Sequence, residues 1–367
     1  MPADTVKSRF WHGAHIVLVS ILAGANIATI ILMLATCLST NLPPATYPKL
    51  SQAGLLFPVF LGINILFVLV WLIISWRWAV LPVLGVLLCW GYVRDYCPVN
   101  FQSENRTKEG GLLVMSYNVA YLWEDTEQHL DGKQSVDYIA DSNADIIFLQ
   151  ECSQSGKMYD MLTHKMDSLR YNTRSWDSFY IFSKWPFVGD MVYRTSDNLY
   201  NGSTAWLIDI GGDTTLVINN HLQSTRISKE EKKEYGNAID SYDRYRIEAS
   251  GKILLSRLSD AAAERAAQTD SICDIIRKNA GYDIIVAGDH NDTPISYTYQ
   301  RISSLLTCAF RESGNGLGIS FIGRGFPVRI DHIFVSRGLK TSSTYVDTRI
   351  QASDHRPILT RVYKSVK

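Results

Sequence analysis

Two kinds of hydrophobic pattern divide the chain. From Phe10 to Val93 apolar residues run almost without interruption, and the only full charges are Lys49 and Arg77. Three runs stand out there: Ile16 to Leu38, Leu55 to Ile74 with Pro58 and Asn64 inside it, and Trp78 to Val93 with Pro82. A helix needs about 20 apolar residues to cross the hydrocarbon layer of a bilayer. The first two runs meet that length. The third reaches it with Trp76, Trp78, Tyr92, Arg77 and Arg94 at its interfacial ends. "NLPPATYP" forms the loop between the first two, because paired prolines stop helices. One such run alone would also fit a core helix or a signal peptide, and "LATC" (Leu34 to Cys37) weakly resembles a lipoprotein cleavage box. Three in succession predict transmembrane helices at about 16–38, 55–74 and 78–93. Asn26 and Asn64 read as groups that hydrogen-bond between neighbouring helices.

From Gly111 the pattern changes to short runs rich in Ile, Val, Phe and Tyr, as strands are. They are "LLVMSYNV", "DIIFLQE", "SFYIFS", "TAWLIDI", "TTLVINNHL", "YDIIVAGD", "RIDHIFVS" and "RPILTRVY". Helical patterns such as "SVDYIADSN" and "ERAAQTDSICDIIRKN" lie between some of them. Strands mixed with helices predict a layered α/β sandwich. The mixed-charge stretch Arg226 to Glu264 reads as solvated helix. The expected organisation is a membrane anchor over residues 1–94, a linker over 95–111 and a folded domain over 112–367.

Charge refines this picture. The chain carries 36 basic and 36 acidic side chains. That balance argues against a strongly basic nucleic-acid binder. None of the six cysteines forms a CxxC pair, so neither a zinc site nor a disulfide framework is indicated. An orientation with the N-terminus inside places Lys7, Arg9 and Arg77 in the cytoplasm, and Lys49, Arg94, Arg106 and Lys108 outside. Three spans then put the C-terminal domain outside the cytoplasm, on a plasma or inner membrane.

Several strand runs end in a polar residue. "LLVMSYN" ends at Asn118, "DIIFLQE" at Glu151, "TLVINNH" at His221 and "DIIVAGDHN" at Asp289 and Asn291; "RIDH" carries Asp331, and "ASDHRP" carries Asp354 and His355. Singly, each also fits a turn or a solvated side chain. Together they predict one pocket along an edge of the sheets, where ligands favour clefts with a few convergent polar groups. The oxygen donors of Glu151, Asp289 and Asp354 suit a hard cation, Mg²⁺ or Mn²⁺. Asp331 can orient His355 for proton transfer.

The order of "SYN", "LQE", "NNHL", "GDHND", "RID" and "SDHRP" resembles the endonuclease/exonuclease/phosphatase superfamily, which includes deoxyribonuclease I and sphingomyelinases. The resemblance spans roughly Leu112 to Val362. It implies a four-layered α/β sandwich of the deoxyribonuclease I type, with a metal-binding mouth. By the same resemblance Glu151 is the principal metal ligand, assisted by Asn118 and Asp354. Asp289 and Asn291 position the attacking water and the phosphate. His355 is the catalytic histidine, oriented by Asp331, and His221 is a second histidine facing substrate. The chain departs from the family in two places, with His290 and His332 where aromatic residues are usual. The bland expectation is that both imidazoles pack or bond locally.

The expected function is a membrane-anchored, metal-dependent phosphoester hydrolase acting on nucleic acid, a lipid head group or a small phosphoester. No feature calls for an obligate protein partner. A non-enzymatic scaffold would be favoured by a missing acid or histidine, and none is missing. Transport by the helices would require a buried acid or base in the spans, and none occurs.

Overall fold

A computed structural model describes residues 3–101, 110–125, 130–198, 201–225, 244–323 and 327–364, with residues 234, 237 and 241 besides. The stretch 226–243, read as solvated helix, and residues 102–109 of the expected linker lie almost wholly outside the described residues.

The apolar third forms α1 (Ala3–Ser39), a 3-10 turn at Leu50–Leu56 running into α2 (Phe57–Ile74), then α3 (Val80–Leu88) and α4 (Trp90–Tyr96). Pro58 sits in the first turn of α2, where its missing N–H leaves no intrahelical bond unmade. Among the described residues two helices are long and apolar enough to cross a membrane: Trp11–Ser39, and Leu50–Ile74 with its 3-10 start. The segments Trp76–Leu88 and Trp90–Tyr96 meet at a bend of 67° and make a third candidate if taken together. Asn26 donates to Asn64 at 3.1 Å and accepts from the Trp71 indole at 3.1 Å. Those bonds join α1 to α2 inside the helical bundle.

Two six-stranded sheets follow. Strands β1 (Leu112–Asn118), β2 (Glu124–Asp125) and β3 (Leu130–Asp131) lead to α5 (Gly132–Asp141) and β4 (Ile146–Gln150). Next come α6 (Lys157–Ser168), β5 (Asn172–Trp176), β6 (Phe179–Ser183), β7 (Phe187–Asn198), β8 (Asn201–Ile210) and β9 (Asp213–His221). After α7 (Arg244–Lys278) come β10 (Asp283–Asp289), α8 (Tyr297–Ser303), β11 (Thr307–Cys308) and α9 (Ala309–Ser313). The last strands are β12 (Asp331–Val335), β13 (Leu339–Val346) and β14 (Ile358–Lys364). One sheet has the order β13-β14-β1-β4-β6-β5 and the other β11-β12-β10-β9-β8-β7.

Side chains alternate across each strand. Val114, Ile146, Phe148 and Ile358 of the first sheet meet Leu216, Ile218 and Ile285 of the second in a shared core. Met115, Tyr117, Ile147 and Leu149 point the other way, against Val136 and Ile139 of α5 and Leu162 and Met166 of α6. Ile272 and Ile276 of α7 and Ile302 of α8 join the core on the second sheet. The layers are therefore helix, sheet, sheet and helix, the four-layered arrangement expected.

The helical third packs directly on this sandwich. Ile295 belongs to the same buried cluster as Met33, Cys37, Phe57, Leu61 and Cys89. Gly54 makes that approach feasible, because a Cβ there would stand 2.1 Å from the Ile295 carbonyl oxygen. Of the stretch read as a linker, Asp95 to Asn100 is held by hydrogen bonds to the domain.

Candidate active site

Strand register brings the polar ends together. The pairs β1–β4 and β9–β10 are parallel, so their C-terminal ends share an edge. Asn118 lies opposite Gln150, next to Glu151. Asp289 lies opposite His221 on one side and Asp331 on the other. "GDHN" thus ends a central strand instead of turning a hairpin. Gly288 is required there: its φ is +142°, and a Cβ would stand 2.0 Å from the Asn220 carbonyl oxygen.

The side chains meet across the gap between the sheets. The Asn118 amide donates to Glu151 Oε1 and to Asp289 Oδ2, both at 3.2 Å. His221 Nε2 lies 3.2 Å from Glu151 Oε1 and 3.7 Å from Asp289 Oδ2. His355 donates from Nδ1 to Asp331 Oδ2 at 2.9 Å, which leaves Nε2 at 3.6 Å from Asp289. Asn291 binds Asp289 through its backbone N–H at 2.8 Å and its amide at 3.3 Å. Asp354 stands slightly apart, tied in through Ser353, whose hydroxyl lies 2.9 Å from the Asn118 carbonyl and 3.4 Å from Asp354 Oδ1. Every nominated residue lies at or beside this edge.

Backbone strain accompanies the site. Glu151 and Asn291 have φ of 49° and 50°, and Ala120, Tyr121 and Leu122 are all left-handed. Such conformations cost about 1–3 kcal/mol each and persist where surrounding contacts impose them. Here the Tyr121 N–H donates to the Glu151 carbonyl, so one strained turn fixes the other.

Environment sets the two central carboxylates apart. Burial pushes Glu151 upward, but the hydrogen bond and charge of His221, then Asn118 and His355, outweigh it and hold Glu151 at about 2. Burial dominates at Asp289, which is pushed up to about 6, with Asp331 adding to the rise and His355 and His221 opposing it. Burial alone would lower His355, yet the charges of Asp331, Asp289 and Asp354 hold it well above the ordinary imidazole value. Separated protonation equilibria of this kind divide acid from base roles.

A divalent cation fits this donor set. The carboxylates of Glu151, Asp289 and Asp331 converge beside His221 and His355, and Asp331 Oδ1 is buried with no hydrogen-bond partner among the described residues. The ligand atoms of Asp289, Asp331 and His355 lie within 4.8 Å of one another. That trio is nevertheless engaged internally, since Asp331 already holds His355. Glu151 keeps 26% of its side chain exposed against 1% for Asp289, and offers an ion the open approach.

His290 and His332 lie behind the edge, their rings 5.4 Å apart and packed on Phe334. His290 bonds the Gly288 carbonyl at 2.9 Å and the Asn220 amide at 3.2 Å, and His332 bonds the Asp292 carbonyl at 3.0 Å. Burial lowers His290 to about 4 and holds His332 well below the ordinary imidazole value, so both are neutral packing groups. Sequence reading missed Gln150 and Asn219, whose side chains join the two sheets at 2.7 Å beneath the site. The available signal was an amide at an inward position of each apolar strand, in "LQE" and "NNH".

The model of the Endonuclease/Exonuclease/phosphatase family matches residues 115–355. A model for a domain of unknown function matches residues 19–96. No curated protein matches the chain. Among solved structures, truncated TDP2 of Caenorhabditis elegans is 19% identical, with 69% of this chain and 97% of that chain covered and a TM-score of 0.45. The human Nocturnin catalytic domain with bound sulfate anion is 16% identical over 70% of this chain and 95% of that chain, with a TM-score of 0.48. An endonuclease/exonuclease/phosphatase from Beutenbergia cavernae is 16% identical over 70% of this chain and 72% of that chain, also with a TM-score of 0.48.

Proposed function

The chain belongs to the endonuclease/exonuclease/phosphatase family, and from that premise we propose that it is a divalent-metal-dependent phosphoester hydrolase anchored in a membrane by its N-terminal helices. Residues 1–94 are the anchor and 112–367 the catalytic domain. The observation that carries the reading is the convergence of Asn118, Glu151, His221, Asp289, Asp331 and His355 between the facing ends of the two sheets.

Glu151 would hold Mg²⁺ (or Mn²⁺), with Asn118 and Asp354 beside it; when bound, the ion supplies positive charge against the phosphoryl oxygens and the leaving oxygen. The rest follows from the chain's own groups. Asp289 titrates near neutrality, and it accepts a proton from the attacking water while Asn291 fixes its carboxylate and faces the phosphate. Asp331 accepts the His355 Nδ1–H, and the carboxylates around the ring favour the imidazolium, so Nε2–H is presented to a phosphoryl oxygen. His221 presents a second imidazole from the opposite side. Preorganised donors of this kind stabilise charge that develops during reaction. The catalytic domain is placed outside the cytoplasm, on the charge bias of the loops.

The test uses the full chain in detergent micelles with bis-para-nitrophenyl phosphate. Turnover with Mg²⁺, lost in chelator and in folded Asp289→Ala and His355→Ala variants, is the expected result. A rate indifferent to chelator would overturn the metal dependence, and a variant with wild-type turnover would remove that residue from the mechanism.

A further inference from the structure

We propose that the catalytic mouth opens at the membrane–water boundary and that the substrate is a phospholipid of the same bilayer, cleaved at its head-group phosphodiester. The inference rests on the hydrolase and anchor readings above. It comes from where the anchor meets the domain.

The helical bundle has two ends, each with its own buried cluster. Met33, Cys37, Phe57, Leu61 and Cys89 mark one; Ala23, Trp71 and Ala79 mark the other. The domain docks only on the first, among the described residues, and does so through loops of the catalytic edge. Ile295, which fills the bundle cluster, follows Asn291 by four residues. Arg329, two residues before Asp331, donates to the carbonyls of Asp95 and Tyr96 at the end of α4. Pro44 and Ser51 of the helical third line one seam with Asp292 and Ile295 of the domain.

This dock fixes an orientation. The buried Asp95 carboxylate accepts from Tyr299 at 3.2 Å and Gln300 at 3.1 Å, and pairs with Arg311 at 3.0 Å. Asn100 adds amide bonds to the Arg311 and Gly314 carbonyls at 3.1 and 2.6 Å. Swinging the domain away would break these bonds and the Arg329 bonds together, so the mouth does not roam on a tether.

Distance then selects the substrate. Four extended residues span at most about 14 Å, so Asn291 stands within that reach of the bundle end. Lipid phosphates occupy a polar layer roughly 5–8 Å deep just outside the hydrocarbon. The rim is also suited to that layer. Trp123, 59% exposed, stacks on Tyr121 at 5.1 Å beside the strained turn after Asn118, and Tyr47, Leu50 and Leu56 are exposed at the bundle end. Aromatic residues favour the interface. A nucleic acid would instead call for a basic track, and the chain has no net charge. In the reaction the oxygen of water bonds to phosphorus and gives up a proton. One P–O ester bond breaks, and the departing oxygen takes up a proton as an alcohol.

The experiment reconstitutes the full chain with Mg²⁺ in vesicles of phosphatidylcholine, phosphatidylethanolamine and phosphatidylglycerol. Isotope-labelled lipid is placed either in those vesicles or in separate protein-free ones, and products are read by mass spectrometry. Bis-para-nitrophenyl phosphate and DNA and RNA oligonucleotides are offered in parallel. Labelled lipid in the same bilayer should be cleaved at least about tenfold faster than lipid in separate vesicles, from effective concentration, and faster than either oligonucleotide. Hydrolysis of the soluble diester with the embedded lipid intact, or a preference for an oligonucleotide, would overturn the membrane-facing mouth while leaving the hydrolase reading in place. Inertness toward the soluble diester as well would sink the hydrolase reading itself.

Discussion

Protons and the metal ion should compete at Asp289. In the metal-free site burial pushes this carboxyl up to about 6, while Glu151 is held at about 2. Between about pH 5 and pH 8, then, Glu151 stays ionised and Asp289 changes state. A cation at Glu151 favours the ionised form of Asp289, because one Asn118 amide touches both carboxylates at 3.2 Å. Binding therefore expels the proton, and the apparent dissociation constant scales as one plus the ratio of protonated to ionised Asp289. At about pH 5 Mg²⁺ should bind roughly tenfold more weakly than at about pH 8, a difference of about 1.4 kcal/mol. Titration calorimetry in two buffers of unlike ionisation enthalpy measures both the affinity and the proton released. In Asp289→Asn the pH slope should vanish. A flat wild-type affinity across this window, or an unchanged slope in the variant, would refute the reasoning. The same shift bears on folding. A carboxyl whose folded value is raised contributes stability that is present below its ordinary value and lost as pH rises through about 6. In chelator, Asp289→Asn should therefore melt above wild type at about pH 7, with the gap closing near about pH 4.

Three further outcomes follow from the packing. Gly288→Ala should cost about 3 kcal/mol or more in denaturant unfolding, since φ +142° and a 2.0 Å approach to Asn220 cannot be relieved without parting β9 from β10. His290→Phe with His332→Tyr should leave the pH optimum of turnover unchanged, because both imidazoles are neutral, while losing about 1–3 kcal/mol of stability as the Asn220 amide forfeits its partner; a displaced optimum would show that these rings titrate with function. Asp95→Ala should lower thermal stability in detergent by about 1–3 kcal/mol, by leaving the buried Tyr299 hydroxyl and the half-buried Gln300 amide without their acceptor; an unchanged melting temperature would deny that the dock is tight.

The eight strand runs legible in the sequence are the eight interior strands of the two sheets. Of the six strands it hid, β5, β7, β11 and β13 are the four edges, and β2 and β3 form a separate two-stranded ribbon. An interior strand buries both faces and must be apolar, whereas "NTRSW" of β5 is half solvated and carries the polar residues that discourage further pairing. The polar strand ends were legible because a carboxylate or amide closing an apolar run is conspicuous, and parallel pairing then brought them to one edge. The bridge from Gln150 to Asn219 was not, since it joins residues 69 positions apart. The dock was hidden for the same reason. Asp95 to Asn100 has the composition of a linker, and its partners Tyr299, Arg311 and Arg329 lie more than 200 positions downstream. No local pattern reports a contact of that range.

The central claim is that the carboxylate of Glu151 holds the ion that makes this strand-edge site a phosphoester hydrolase. Glu151→Gln tests it most directly, because it removes the charge and keeps the shape. Initial rates of bis-para-nitrophenyl phosphate hydrolysis are measured against Mg²⁺ concentration for wild type and variant, with circular dichroism to show that the fold is retained. The account predicts saturation with Mg²⁺ in the wild type and a loss of about 100-fold or more in the variant, the several kcal/mol of charge stabilisation a bound ion supplies. A folded Glu151→Gln protein with the wild-type rate and the wild-type Mg²⁺ dependence would contradict it.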